Sequence, residues 1–176
     1  MNKWNIDMSH SLIGFKVKHL MISKIRGQFD KFSGSLIMDG DDFTKASVSF
    51  QAESNSINTN NKDRDGHLMS PDFFDVEKFP TISFNSKKIT QNSEDNFTVV
   101  GDLEMHGVTK EISLKVELNG KGENMNHQKV MSFDASCSID RKDFGLNWNA
   151  TLDKGEIVVS DGVDLDISVE LVSNNS

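Results

Sequence analysis

The sequence predicts an all-β protein closed into a barrel, and three observations lead there. Eight segments alternate apolar with polar residues, turn-forming dipeptides separate most of them, and no helix-length amphipathic stretch lies between successive segments. Alternating side chains project from opposite faces of a strand, so each segment has one dry face and one wet face. Such a sheet must pack against a second layer or close on itself. Without helices to form that layer, closure is the economical solution.

The first segment spans 11–21, with Ile13, Phe15, Val17 and Met21 on one side and Lys16 and Lys18 on the other. The pattern repeats in Phe32/Gly34/Leu36/Met38, in Ala46/Val48/Phe50/Ala52 and in Ile82/Phe84. It continues through Phe97/Val99/Gly101/Leu103/Met105 and Ile112/Leu114/Val116/Leu118. Phe133/Ala135/Cys137/Ile139 and Val163/Leu165/Ile167/Val169/Leu171 complete it. Asp39-Gly40, Asn92-Ser93, Asn119-Gly120 and Asp161-Gly162 read as the turns between strands. Only 60–79 breaks the rhythm, with both prolines, Pro71 and Pro80, around its second half. Its middle, 62–76, predicts a short helical lid over an opening of the barrel, with Ser70 as a helix cap and Pro71 at the first helical position.

The chain has 176 residues, enough for one domain by the usual measure of ~100–200 residues. Nineteen Lys and Arg against 27 Asp and Glu give a net charge of −8. With no local basic patch found to offset it, that balance argues against nucleic-acid binding and disfavours anionic membrane surfaces. No segment approaches the ~20 apolar residues of a spanning helix, so stable membrane insertion is not expected. The N-terminus lacks the apolar core and small-residue cleavage site of a signal peptide. With a single cysteine, Cys137, no internal disulfide can form, and both features point to the cytoplasm.

Motifs for catalysis are thin. Asp143-Phe144-Gly145 spells a kinase tripeptide without its companion motifs, and there is no G-x-S-x-G, H-E-x-x-H or G-x-x-x-x-G-K. Cys137 alternates in step with apolar neighbours and reads as a small buried thiol. His10, His19, His67, His106 and His127 have no metal-pair spacing, so neither a metal nor a cofactor is expected. His19 falls on the inward side of its strand, either as a hydrogen-bonded core histidine or as a polar anchor in a ligand tunnel. Arg64-Asp65-Gly66-His67-Leu68, just before Phe73-Phe74, is either a cradle for a polar headgroup or a salt-bridged turn fixing the lid. Arg141-Lys142-Asp143 admits the same two readings.

Several blocks together resemble one family. Trp4-x-x-Asp7, His10-Ser11, Phe15-x-Val17-x-His19-Leu20 and Gly27-x-Phe29 are similar to the opening of YceI-like proteins. Ser56-Ile57-x-Thr59, Arg64-Asp65-x-His67-Leu68, Phe73-Phe74-Asp75 and Phe79-Pro80-x-Ile82-x-Phe84 follow in order. Gly101-Asp102-Leu103, Gly107-Val108-Thr109-Lys110 and Arg141-x-Asp143-Phe144-Gly145 complete the resemblance over nearly the whole chain. It implies an elongated, eight-stranded antiparallel, lipocalin-like barrel forming one domain over 1–176. It also implies a pore for a long apolar chain: a polyisoprenoid, an isoprenoid quinone precursor or a fatty-acid derivative. Family members are often exported and often dimeric, which leaves a homodimer open here. No catalytic residue comes with the family pattern.

The pattern and the resemblance together make Phe15, Val17, Met21, Phe32, Leu36, Phe50, Phe84, Leu103, Phe133 and Phe144 the expected apolar wall. Leu68, Phe73, Phe74 and Trp148 are the expected mouth, and His19, Arg64, His67 and Arg141 the headgroup anchors. The leading reading is binding, storage or transport of such a chain without catalysis. Two others stand beside it: an enzyme using His19, His67 or His106 as acid/base on a small hydrophobic substrate, and a ligand-free, stress-associated structural domain.

Overall fold

A computed structural model describes residues 1–150 and 158–174. Eleven strands form one antiparallel sheet: β1 (Asn2–Ile6), β2 (Leu12–His19), β3 (Ser23–Phe29), β4 (Phe32–Met38), β5 (Ser47–Glu53), β6 (Ile57–Asn58), β7 (Thr81–Gln91), β8 (Asn96–Met105), β9 (Val108–Glu123), β10 (Lys129–Asp140) and β11 (Val159–Ser173). Eight of them close the barrel in the order β1-β4-β5-β7-β8-β9-β10-β11, sealed by the pairing of β1 with β11. The long strand β11 serves two partners along one edge. Leu171–Ser173 faces Ile6–Trp4 of β1, while its N-terminal part runs beside β2, with Val159 opposite His19 and Ser168 opposite Leu12. Beyond β2, strands β3 and β6 extend the wall as a flap at one end. Backbone bonds from Glu53 to Lys31, Asp30 to Ser56 and Ser54 to Pro80 (2.9–3.0 Å) stitch its seam to the barrel.

β1, β3 and β6 go beyond the eight alternating segments; β3 carries Ile25 and Phe29 against Lys24 and Arg26, the same alternation in shorter form. Two expected turns lie inside strands. Asn119-Gly120 continues β9, and Asp161-Gly162 sits in β11 where its register against β2 shifts. Cross-strand partners on both sides outweigh the local turn preference of these dipeptides, and the β9–β10 reversal falls instead at 124–128. There the Asn124 side chain accepts from the N–H groups of Asn126 and Gln128 (2.9 and 3.0 Å). The β8–β9 turn places His106 and Gly107 at φ 55° and 73°, the twist that matches a tight hairpin.

The lid contains one helix, α1 (Lys62–Met69), which starts at Asn61, whose side chain accepts from the Arg64 N–H at 3.0 Å. Ser70 ends this helix rather than starting another. A residue before proline is pushed out of the α region, and Ser70 is accordingly extended (φ −74°, ψ 169°). Its hydroxyl and its N–H both donate to the His67 carbonyl, and successive turns carry the chain on to Phe79. Among the described residues no helix is long and apolar enough to cross a membrane.

The barrel is tightly packed at the end away from α1. Trp4, Leu36, Met38, Phe97, Met131, Phe133 and Leu171 are buried there. Phe43, from the 3-10 turn between β4 and β5, meets Phe97 edge to face and Phe133 at a tilt, with centroids 4.8 and 4.9 Å away, and closes that end.

Candidate functional site

The interior is hollow in two adjoining stretches. A deep chamber of about 180 Å³ lies above Phe43 and is walled by inward residues of the barrel, including Leu36, Phe50, Phe84, Val99, Leu103, Val116 and Phe133. A second chamber of about 360 Å³ opens beneath the lid, among Val17, His19, Ile57, Leu68, Phe73, Phe74, Leu146 and Trp148. Phe15, Phe29, Met105, Ile139 and Leu165 line both and form the waist between them. Along β11 the bore extends from Val159 to Leu171. At ~3.3 Å per residue and a tilt of ~40°, that run is roughly 30 Å long.

Glycines keep this bore open. Phe15 lies directly across from Gly27, and its ring fills the space where a Cβ at Gly27 would stand. Phe84 covers Gly101 in the same way. A ring lying along the wall over a glycine takes less of the lumen than one standing away from it. The strand phenylalanines can therefore line a bore without filling it.

The mouth is polar on one side. Arg64, on α1, donates from Nε to the Thr59 hydroxyl (2.7 Å) and from Nη2 to the Thr59 carbonyl (2.6 Å). Asp65 accepts from the Thr59 N–H and hydroxyl (2.9 and 2.5 Å), so Thr59 and α1 hold each other. His67 is bonded through Nε2 to Asp72 (2.8 Å), and its ring packs edge-on against Phe73 and Trp148 (centroids 5.1 and 4.7 Å). His19 lines the same chamber from the end of β2.

Arg141 is also at this chamber, but its guanidinium is committed to the backbone. It is 4% exposed and donates to the carbonyls of Ser160 (3.0 Å), Leu146 (2.6 Å) and Trp148 (2.8 Å), with Asp161 3.9 Å away. Burial pulls its pKa down, opposed by Asp161 and Asp140. Rather than fixing the lid helix, this side chain ties the segment after β10 to the start of β11. With those bonds made, it has little left for a headgroup.

Of the other expected residues, Phe15, Val17, His19, Leu36, Phe50, Arg64, His67, Leu68, Phe73, Phe74, Phe84, Leu103, Phe133 and Trp148 line one chamber or the other. Three expected wall residues do not. Met21 follows the end of β2 in a loop and is 54% exposed, because the hairpin turns before the alternation reaches it. Phe32 packs on the core beside Phe50 without reaching either chamber. Phe144 is buried in solid packing at the rim, where its carbonyl accepts from His106 Nδ1 at 2.9 Å. Alternation overlooked Phe43, which comes from a turn, Phe29 and Leu146. Met105, Ile139 and Leu165 were legible as inward-facing residues but not as a waist.

Cys137 is half-buried, and burial with Asp164 nearby pushes its thiol up to about 11, leaving it protonated rather than nucleophilic near neutrality. His106 lines neither chamber, and its Nδ1 is held by the Phe144 carbonyl. Outside the bore, Asp7, His10 and Glu170 gather where β1 gives way to β2, with His10 Nδ1 2.8 Å from Asp7.

The fold and interior define a closed antiparallel barrel with an apolar lumen and one lidded, partly polar mouth. Residues 4–171 match the YceI-like domain, and the chain belongs to that family. It is 39% identical over 176 residues to a UPF0312 protein of Staphylococcus epidermidis, covering 99% of this chain and all of the relative. A UPF0312 protein of Staphylococcus aureus is 36% identical over 171 residues, 97% of each chain. Among solved structures, the YceI protein of Campylobacter jejuni is similar with a TM-score of 0.76 and 29% identity over 88% of each chain. BcnA of Burkholderia cenocepacia shares the fold at a TM-score of 0.82 and 21% identity, over 94% of this chain and 98% of the other. A domain from Saccharophagus degradans, described as polyisoprenoid binding, shares it at 0.73 and 15% identity, over 97% and 98% of the two chains.

Proposed function

We propose that the protein binds one long apolar chain, a polyisoprenoid or another long-chain amphiphile, and carries it without chemical change. The observation that carries this reading is a pair of adjoining cavities that share five lining residues: an apolar deep chamber, and an outer chamber edged by Arg64, His67 and His19. The tail would occupy the deep chamber and the polar end would rest at the mouth, where Arg64 Nη1 has no hydrogen-bond partner among the described residues. Each methylene taken from water contributes about 0.8 kcal/mol, while association costs ~4–15 kcal/mol, so only a chain long enough to pass the waist binds firmly. The polyisoprenoid-binding description of the Saccharophagus degradans domain supports the same ligand class. A lone, half-buried thiol is in keeping with a reducing compartment such as the cytoplasm.

Native mass spectrometry of protein purified from its own host, followed by organic extraction, tests the proposal. The expected result is a stoichiometric prenyl or acyl species. A clean apo mass that stays unchanged after incubation with long-chain isoprenoids overturns it.

A further inference from the structure

The hairpin of β2 and β3 projects beside the mouth, and it carries features that the bore does not use. Lys16 faces Arg26 and Lys18 faces Lys24 directly across the two strands. Like charges so placed repel each other. Asp166 approaches Lys16 at 3.5 Å, whereas Lys18, Lys24 and Arg26 are exposed and have no ion pair among the described residues. Three such cations thus gather toward the hairpin tip of a chain whose net charge is −8. The patch escapes a linear reading because its members alternate with apolar residues on two strands.

The tip itself is apolar: Leu20, Met21 and Ile22, with Met21 54% and Ile22 87% exposed. Leu20 and Met21 both hold left-handed backbone, φ 53° and 58°, in a turn closed by the Ile22 N–H donating to the His19 carbonyl (3.2 Å). Asn or Gly would make that turn without steric cost. The chain instead holds large apolar side chains there in a disfavoured conformation and projects Met21 and Ile22 into water. The tip is also tied to the mouth, since the Leu20 N–H donates to the Val158 carbonyl (2.9 Å) and both His19 and Val158 line the outer chamber.

We infer that this hairpin docks the protein peripherally on an anionic lipid surface, with Met21 and Ile22 entering the interfacial region and Lys18, Lys24 and Arg26 meeting acidic headgroups. Apolar side chains ringed by cations are what such an interface takes up. Asp63, Asp72, Asp75 and Glu77 of the lid are repelled by the same surface. At a Debye length of about 8 Å in physiological salt, the molecule therefore sits tilted over the hairpin, with the lid held clear. Docking in that pose brings the hairpin side of the mouth, lined by His19 and Val158, next to the source of an apolar chain. The inference extends the carrier reading, but docking itself needs no bound chain.

The test is co-sedimentation of the full chain with vesicles of equal parts phosphatidylglycerol and phosphatidylcholine, against vesicles of phosphatidylcholine alone. The expected result is sedimentation with the anionic vesicles only, falling as salt is raised. Replacing Lys18 and Lys24 by Gln weakens it about 30-fold, at the strength typical of a basic side chain near such a surface. Ile22→Asp abolishes it, and Met125→Asp, altering an equally exposed methionine at the opposite end of the barrel, leaves it unchanged. A fluorophore on Ile22→Cys shifts to the blue on the same vesicles. Chain uptake from solution by these variants stays at the wild-type level, which separates docking from carrying. Equal binding to neutral vesicles, no sedimentation, or loss with Met125→Asp overturns the inference. Binding that depends on the lysines yet survives Ile22→Asp also overturns it, and marks a soluble polyanion such as an acidic protein as the partner.

Discussion

Filling the deep chamber should convert this protein from a long-chain to a short-chain binder. The chamber holds about 180 Å³. At ~30 Å³ for a water-sized volume, that is room for about six methylenes, worth about 5 kcal/mol at ~0.8 kcal/mol each. Val99 lies near the closed end, on β8 and opposite Leu114, while Leu103 is four residues nearer the waist. Val99→Trp takes about half the chamber and removes about three methylenes, or ~2.4 kcal/mol, a roughly 60-fold loss of affinity. Leu103→Trp closes the approach from the waist and removes all six, a loss of roughly 3,000-fold on the same scale. Chains short enough to stop in the outer chamber bind both variants as they bind the wild type. Displacement titrations with a ladder of fatty acids and prenyl alcohols of increasing length read out this graded, length-dependent effect. Overpacking costs ~1–3 kcal/mol of stability, so thermal unfolding of each ligand-free variant is measured alongside. Equal losses at every chain length, or no loss with either variant, would refute the assignment of the deep chamber to the tail.

Three other outcomes follow from the geometry. Arg141→Met strands the carbonyls of Leu146, Trp148 and Ser160, and should cost about 4 kcal/mol and lower the melting temperature by roughly 10 °C in a circular-dichroism melt; an unchanged melt would show that the rim does not depend on this side chain. Gly27→Ala drives the Phe15 ring off the wall and into the waist, so long-chain uptake should slow in stopped-flow measurements while short-chain affinity holds. The Asp7–His10 contact should register in the pH dependence of stability. Hydrogen bonding to Asp7 raises His10 above its ordinary 6.5, so its contribution is complete below that pH and fades as pH rises through the elevated value. The bonds from Ser9 and His10 lower Asp7 below its ordinary 3.8, so its share is complete above that pH and is lost as pH falls through the lowered value. The difference in melting temperature between wild type and His10→Gln should therefore be larger near about pH 5 than near about pH 9, and a difference that grows with pH would contradict the pairing.

Barrel, lid position and most of the wall were legible in the sequence because strand burial has a period of two and because 60–79 alone lacked it. Inward-facing Phe15, Leu36, Phe50, Phe84 and Phe133 announce themselves by alternation, and Arg64 and His67 by crowding next to Phe73 and Phe74. Local chemistry misled where cross-strand pairing was stronger. Asn119-Gly120 and Asp161-Gly162 look like turns but lie within strands, and Ser70-Pro71 looks like a helix start but ends one. Met21 illustrates the limit of alternation, since a period continues on paper past the point where the hairpin has already reversed.

By itself the sequence determined an antiparallel sheet with one dry face, a break in it for a lid, and an acidic chain without catalytic signatures. Only the tertiary structure decided whether twelve phenylalanines fill the barrel or line it. That depends on Phe15 lying over Gly27 and Phe84 over Gly101, on Phe43 arriving from a turn to plug one end, and on Arg141 spending its donors on the rim. The basic, apolar-tipped hairpin likewise exists only once β2 and β3 pair and bring Lys16 opposite Arg26 and Lys18 opposite Lys24. The physical reason is the same in each case. Periodicity along one strand tells which way a side chain points, whereas register between strands tells what it meets there.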